Sequence, residues 1–164
     1  VAASPAPSDL TLGWVPYESP RLGYAVKAPP DWSATDATAP WSYGTTPDYL
    51  DVAVWDHLEA PDDSVQLLIT SQGLPAGTDS DGWVCRRLEL LAEAGDCAVE
   101  VHDEIPIGSI TGRYGTVPWG FEAAAVSDGR GYYFLLRTSK NRSQFLLFEA
   151  FMGNVELRPE KAAD

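Results

Sequence analysis

Between residues 21 and 32 apolar and polar positions alternate. Leu22, Tyr24, Val26 and Ala28 fall on one side, and Pro29-Pro30 closes the run; this is the period of a half-buried strand stopped by proline. Trp41, Tyr43, Tyr49, Val52, Val54 and Trp55 continue an aromatic and β-branched bias, and Val65 to Thr70 reads as a buried strand after the turn Ala60-Pro-Asp-Asp-Ser64. From Ser80 the period lengthens. Val84, Leu88 and Leu91, with Leu90 and Ala94, recur at helical spacing, Asp79 or Ser80 serves as N-cap and Gly95 as C-cap, so a helix is predicted over 80–94. Three strands follow, Ala98 to Val101, Gly108 to Glu122 with an interruption at Pro118, and Gly131 to Thr138. Ile105-Pro106 and Ser127-Asp-Gly-Arg-Gly131 are read as the separators of an antiparallel meander. Phe145, Phe148, Met152 and Val155, with Leu147 and Phe151, then form the stripe of a second helix from Ser143 or Gln144 to Leu157, with Gly153 a weak point late in it. The pattern predicts an α+β fold: a central antiparallel sheet of five or more strands flanked by helices.

Length adds the scale. A chain of 164 residues and 17.8 kDa makes about one domain, divided here into a flexible N-terminal tether (1–13), a globular domain (14–158) and a C-terminal tail (159–164). Eleven Lys plus Arg against 24 Asp plus Glu give a net charge of −13. Such a chain repels phosphate backbones and anionic lipid, so nucleic acid is not an expected partner. The charge is unevenly placed: residues 48–104 carry 14 acids and two bases, and residues 105–164 carry six acids and seven bases. An acidic face that includes Asp48, Asp51, Asp62 and Asp63 suits a protein partner with a basic surface, and it equally suits solubility alone. Arg130, Arg137, Lys140 and Arg142 make up a smaller candidate basic patch.

The opening VAASPAPSD, small and Pro-rich, is the composition of a tether behind a signal peptide or anchor, so export to the cell envelope or beyond is expected. No apolar run approaches the roughly 20 residues of a spanning helix. Cys85 and Cys97 are the only cysteines and form no CxxC pattern. One disulfide between them, closing a loop worth about 3 kcal/mol, is one reading; two separately buried thiols is the other. Asn141-Arg142-Ser143 matches a glycosylation triplet, a short pattern common by chance.

Candidate chemistry is sparse. His57 stands in Asp-His-Leu-Glu and His102 in His-Asp-Glu. Neither has the spacing that turns ligand pairs toward one metal, so solvated strand-end histidines are expected and no metal or cofactor. Ser109, in Gly-Ser-Ile-Thr-Gly, sits one place too early for a nucleophile elbow, and Cys85 as nucleophile conflicts with a disulfide. Gly77-Thr-Asp-Ser-Asp-Gly82 lacks the oxygen ligands of a calcium loop at its first and twelfth places, so it reads as a helix start with acids in its first turn. Of six tryptophans, Trp14, Trp41 and Trp119 lie beside turns and prolines, where they could line a groove for a carbohydrate, peptide or lipid.

A Gly-Tyr-Ala-Val strand running into Pro-Pro-Asp-Trp, a central helix, the glycine-rich stretch Ile107-Gly-Ser-Ile-Thr-Gly-Arg-Tyr114 and a final helix at Phe145 to Leu157 resemble the Mog1/PsbP-like fold. In particular they resemble exported actinobacterial lipoproteins of the LpqN kind. The resemblance covers about residues 15 to 158. It implies a sheet flanked by helices in a family of accessory or binding proteins without a shared catalytic motif, and no site residue carries over from it. The expected function is therefore a non-catalytic, exported or surface-tethered binding module acting through protein contacts. Two rivals remain: a small hydrolase using a carboxylate with His57 or His102, and a carrier holding a small apolar ligand between helix and sheet.

Overall fold

The computed structural model describes residues 10–45, 52–88, 102–138 and 141–163. Strands β1 (Val15–Glu18) and β2 (Tyr24–Ala28) form a hairpin, and β3 (Ser33–Thr35) follows. Next come β4 (Asp56–Glu59), β5 (Gln66–Gly73) and helix α1 (Ser80–Leu88). The second half holds β6 (Asp103–Ile107), β7 (Ile110–Val117), β8 (Gly120–Ser127), β9 (Arg130–Arg137), helix α2 (Arg142–Asn154) and the short β10 (Glu156–Leu157). Among the described residues the strands make two wholly antiparallel sheets: a seven-stranded one ordered β3-β4-β5-β9-β8-β7-β6, and a three-stranded one ordered β1-β2-β10. The chain is α+β, as its periodicity predicts.

The large sheet separates two cores. Tyr132, Phe134 and Leu136 of β9 enter the core shared with Phe148, Phe151 and Met152 of α2 and with Tyr24 and Val26 of β2. Tyr133 and Leu135, the alternate residues, enter the other core with Trp83, Val84 and Leu88 of α1 and with Trp41 and Trp55. Its near-continuous apolar run is what a strand covered on both faces requires. Helix α1, as far as it is described, packs on β7, β8 and β9 of this face.

The meander turns more tightly than its sequence suggests. Ile105-Pro106 is inside β6, where proline is tolerated because, among the described residues, β6 is the sheet's edge and only β7 pairs with it. The reversal comes at Gly108-Ser109: Gly108 has φ 59, and a Cβ there would collide with the Val155 carbonyl. Pro118 does not interrupt one long strand. With Trp119 it forms a two-residue turn, pairing Val117 with Gly120 and separating β7 from β8. Asp128-Gly129, at φ 47 and 75, makes the type I′ turn between β8 and β9.

One further expectation is corrected at the second helix and one at the C-terminal end. The first helix is described to Leu88; residues 89–101, with the rest of its predicted span and the predicted strand Ala98 to Val101, lie outside the described residues. The second helix starts at Arg142, capped by the Asn141 side chain accepting from Gln144 N–H, and stops at Asn154 rather than Leu157. There the Asn154 amide accepts from Lys27 N–H and donates to the Lys27 carbonyl, so Glu156 and Leu157 are drawn into pairing with β2. The expected tail is docked. Arg158 and Ala163 N–H groups donate to the Gly23 and Arg21 carbonyls, and Pro159–Lys161 forms a 3-10 turn.

Candidate functional site

Antiparallel register fixes which side chains share a row on the α1 face. His57 of β4 lies opposite Leu68 of β5, Leu68 opposite Leu135 of β9, Leu135 opposite Glu122 of β8, and Glu122 opposite Gly115 of β7. His102 stands one residue before Asp103, which pairs with Tyr114, so it ends the same row. Five inter-strand steps of about 4.8 Å put the two histidines roughly 24 Å apart. No single site can use both.

Glu122 is the acid that the sequence reading passed over. It is 3% exposed, and burial pushes its carboxyl up to about 7 even though the Tyr133 hydroxyl donates to it at 2.5 Å. The same environment raises the Tyr133 phenol, through burial and the neighbouring carboxylate. Gly115 leaves a notch beside this pair: a Cβ there would lie 3.5 Å from Glu122 Oε1 and 3.7 Å from His102 Nδ1. Arg113 Nη1 donates to the His102 carbonyl at 2.9 Å and pairs with Glu104, which holds the start of β6 in place. The local signal was a lone acid inside the apolar run GFEAAAV. His57 is not a solvated strand-end residue. It is half-buried in β4 with Nε2 unpartnered, and burial lowers its pKa against the opposing pull of Glu59 and Asp56.

The second interior carboxylate, Asp56, is fully buried. It accepts from Tyr24 Oη and from Ala37 N–H, and Ser19 also bonds to it; burial nevertheless raises its pKa. Nearby, Tyr17 Oη donates to the exposed Asp36, beside a cleft of about 450 Å³ lined by Arg21, Asp36, Thr38 and Ala163. Asp56 thus ties the small sheet to the large one.

At the strand ends remote from α1, Glu59, Gln66 and Arg137 face one another across β4, β5 and β9. Gln66 Nε2 donates to Glu59 at 2.7 Å, and Arg137 Nη1 donates to Gln66 Oε1 at 3.1 Å. Trp119, Asp63, Ser64 and Thr138 complete a cleft of about 260 Å³ around Gln66 and Arg137.

The sequence-derived candidates therefore scatter. Trp41 is 4% exposed, its ring against Trp83 with the Arg87 guanidinium over both, so it is core and has no face to offer a groove. Trp14 packs on Phe151 of α2, far in the fold from Trp119. Asp62 and Asp63 are exposed on the β4–β5 turn; Asp48 and Asp51 lie outside the described residues. So does Cys97, while Cys85 is buried on α1. The basic patch does not assemble: Arg130 is buried against Ser71 at the opposite end of β9 from Arg137, and Lys140 is outside the described residues. The Asn141 side chain is occupied as a helix cap, and Ser109 is a turn residue.

Among the described residues no helix is long and apolar enough to cross a membrane, and no group of three or more His, Cys, Asp or Glu could hold a metal ion. No family model matches the sequence, and no curated protein matches it. Solved structures do. The solution structure of cyanobacterial PsbP (CyanoP) from Synechocystis sp. PCC 6803 superposes with a TM-score of 0.56 over 88% of this chain and 92% of that one, at 12% identity. A protein from Bacteroides thetaiotaomicron VPI-5482 aligns at 11% identity and a TM-score of 0.49, with 87% of this chain spanning 48% of that longer one. The chain has a Mog1/PsbP-like fold.

Proposed function

We propose that this Mog1/PsbP-like domain is a non-catalytic accessory module, exported or tethered at the cell surface, that works by binding a protein partner with a basic surface. The observation that supports it is the division of labour among the acids. Among the described residues the two buried carboxylates, Asp56 and Glu122, are engaged by tyrosine hydroxyls, while Asp31, Asp36, Asp62, Asp63, Asp103 and Glu104 stand on the surface. Exposed charge of one sign steers encounter, and salt screens it. The test is affinity capture of envelope proteins at low salt, followed by association kinetics with the captured partner. The on-rate should fall steeply with ionic strength and with Asp62→Lys plus Asp63→Lys, while His57→Ala leaves it unchanged. A salt-independent on-rate sinks the reading.

A second reading is favoured by the notch at Gly115. A carboxyl with a pKa near 7 beside an imidazole is the pairing that general acid–base chemistry uses, so a small hydrolase would centre on Glu122 and His102. Turnover of chromogenic ester, glycoside or phosphoester substrates that is abolished by both Glu122→Gln and His102→Ala would establish it in place of the binding module. The apolar carrier has less support: the clefts at Arg21, Trp119 and Arg113 are all lined by charged side chains.

A further inference from the structure

We propose that the cleft at Trp119 binds one pyranose ring of a neutral glycan. Its walls come from three turns or strand ends that the fold holds rigidly. Trp119 occupies the two-residue turn between β7 and β8; its carbonyl accepts from Thr138 N–H at 2.8 Å, and its ring packs against the core under α1. The ring therefore keeps its place without a ligand. Gln66 and Arg137 form the floor, and the Gln66 amide is locked in orientation by donating to Glu59 and accepting from Arg137. Asp63 and Ser64 overhang from the β4–β5 turn, fixed by Asp63 N–H to the Ala60 carbonyl and by the Ser64 groups on Asp62.

A pyranose needs two things from a protein: an aromatic surface for its C–H face, and polar groups that both donate to and accept from ring hydroxyls. The cleft supplies an indole, a carboxylate acceptor, a guanidinium donor, an amide and the Thr138 hydroxyl that each do both, and the Ser64 hydroxyl, whose proton goes to Asp62, as an acceptor. One acid and one base among the six lining residues leave no net charge, so an anion meets Asp63 and a cation meets Arg137. A volume of about 260 Å³ is just below the 300–1,000 Å³ range of small-molecule pockets, which fits a single ring and excludes a lipid chain. An extended peptide is disfavoured too. β5, β9 and β8 are paired on both sides, so no strand edge at the cleft is open to augmentation.

The test is saturation-transfer NMR on the whole chain, with tryptophan fluorescence in parallel, using methyl β-D-glucopyranoside, methyl β-D-galactopyranoside and methyl α-D-mannopyranoside as probes and glycerol as the acyclic polyol. At millimolar concentration at least one pyranoside should receive saturation on the C–H protons of one ring face, and glycerol none. Trp119→Leu should weaken that binding by about tenfold, the loss expected of an aromatic platform. Asp63→Asn tests the site without disturbing the fold, since asparagine tolerates the left-handed φ of 59 as well as aspartate does; it should weaken binding about fivefold by replacing a charged acceptor with a neutral one. Trp14→Phe, far from the cleft, should change nothing. No transfer to any of the three pyranosides overturns the proposal, and so does unchanged affinity in Asp63→Asn, the deciding variant if Trp119→Leu fails to fold.

Discussion

Glu122 holds a proton in the folded chain across a pH range in which the unfolded chain has released it. Its unfolded value is 4.5 and its folded value about 7, so between these limits the native state binds more protons and stability falls as pH rises. Above pH 7 the cost is fully present, on the order of 3 kcal/mol. Glu122→Gln keeps the shape and an acceptor for Tyr133 Oη. It should therefore stabilise the protein at pH 8 and give no advantage near pH 4.5, as read from denaturant midpoints at the two pH values. An equal gain at both would mean that the buried charge is not what limits stability. The sequence reading made Glu122 the end of one long strand from Gly108, whereas it sits inside β8, Gly120–Ser127, and its burial was not legible at all. What surrounds Glu122 is decided by Tyr133 across β9 and Gly115 across β7, partners that neighbouring residues in sequence do not specify. The histidines were misplaced for the same reason, since only register reveals that one row holds both and that five strand steps separate them.

Elements were more legible than their ends. The apolar stripe of α2 continues through Val155, and period alone cannot see that Asn154 finds a better partner in the open edge of β2 than in another helical turn. Its amide gives Lys27 the two hydrogen bonds that a neighbouring strand would give, two residues beyond the β10 ladder. Asn154→Ala should cost about 1–2 kcal/mol, two hydrogen bonds to backbone groups that become exposed to solvent competition. It should also speed hydrogen exchange of the Lys27 amide, while exchange in β9 changes only by the global loss. Unchanged exchange at Lys27 would show that the helix stops for another reason. Pro118 misled for a related cause: proline marks a place where a ladder bond is missing, and a turn and an interrupted strand both satisfy that.

For the whole molecule, the two cores on either side of one sheet share the strands β5, β8 and β9, and α1 carries Cys85 in the smaller of them. A bond from Cys85 to Cys97 would fasten the segment after α1 to that core and would persist only in an oxidising compartment, which links it to export. Protein isolated from its native source should show no alkylatable thiol by mass spectrometry before reduction and two after it. Two free thiols without reduction would remove that support for export.

The small sheet has a bearing on how the chain comes to be folded at all. Ala25 pairs with Glu156 and Tyr24 with Leu157, so β2 waits for a neighbour synthesised about 130 residues later. Until it arrives, Tyr24 and Val26 lack the Phe151 and Met152 surface that later covers them. A nascent chain stalled short of Asn154 can assemble the β6 to β9 hairpins, whose contacts are local, but it cannot seal this side. Such a chain keeps that apolar surface exposed, and the lateness opens it to self-association if release is slow.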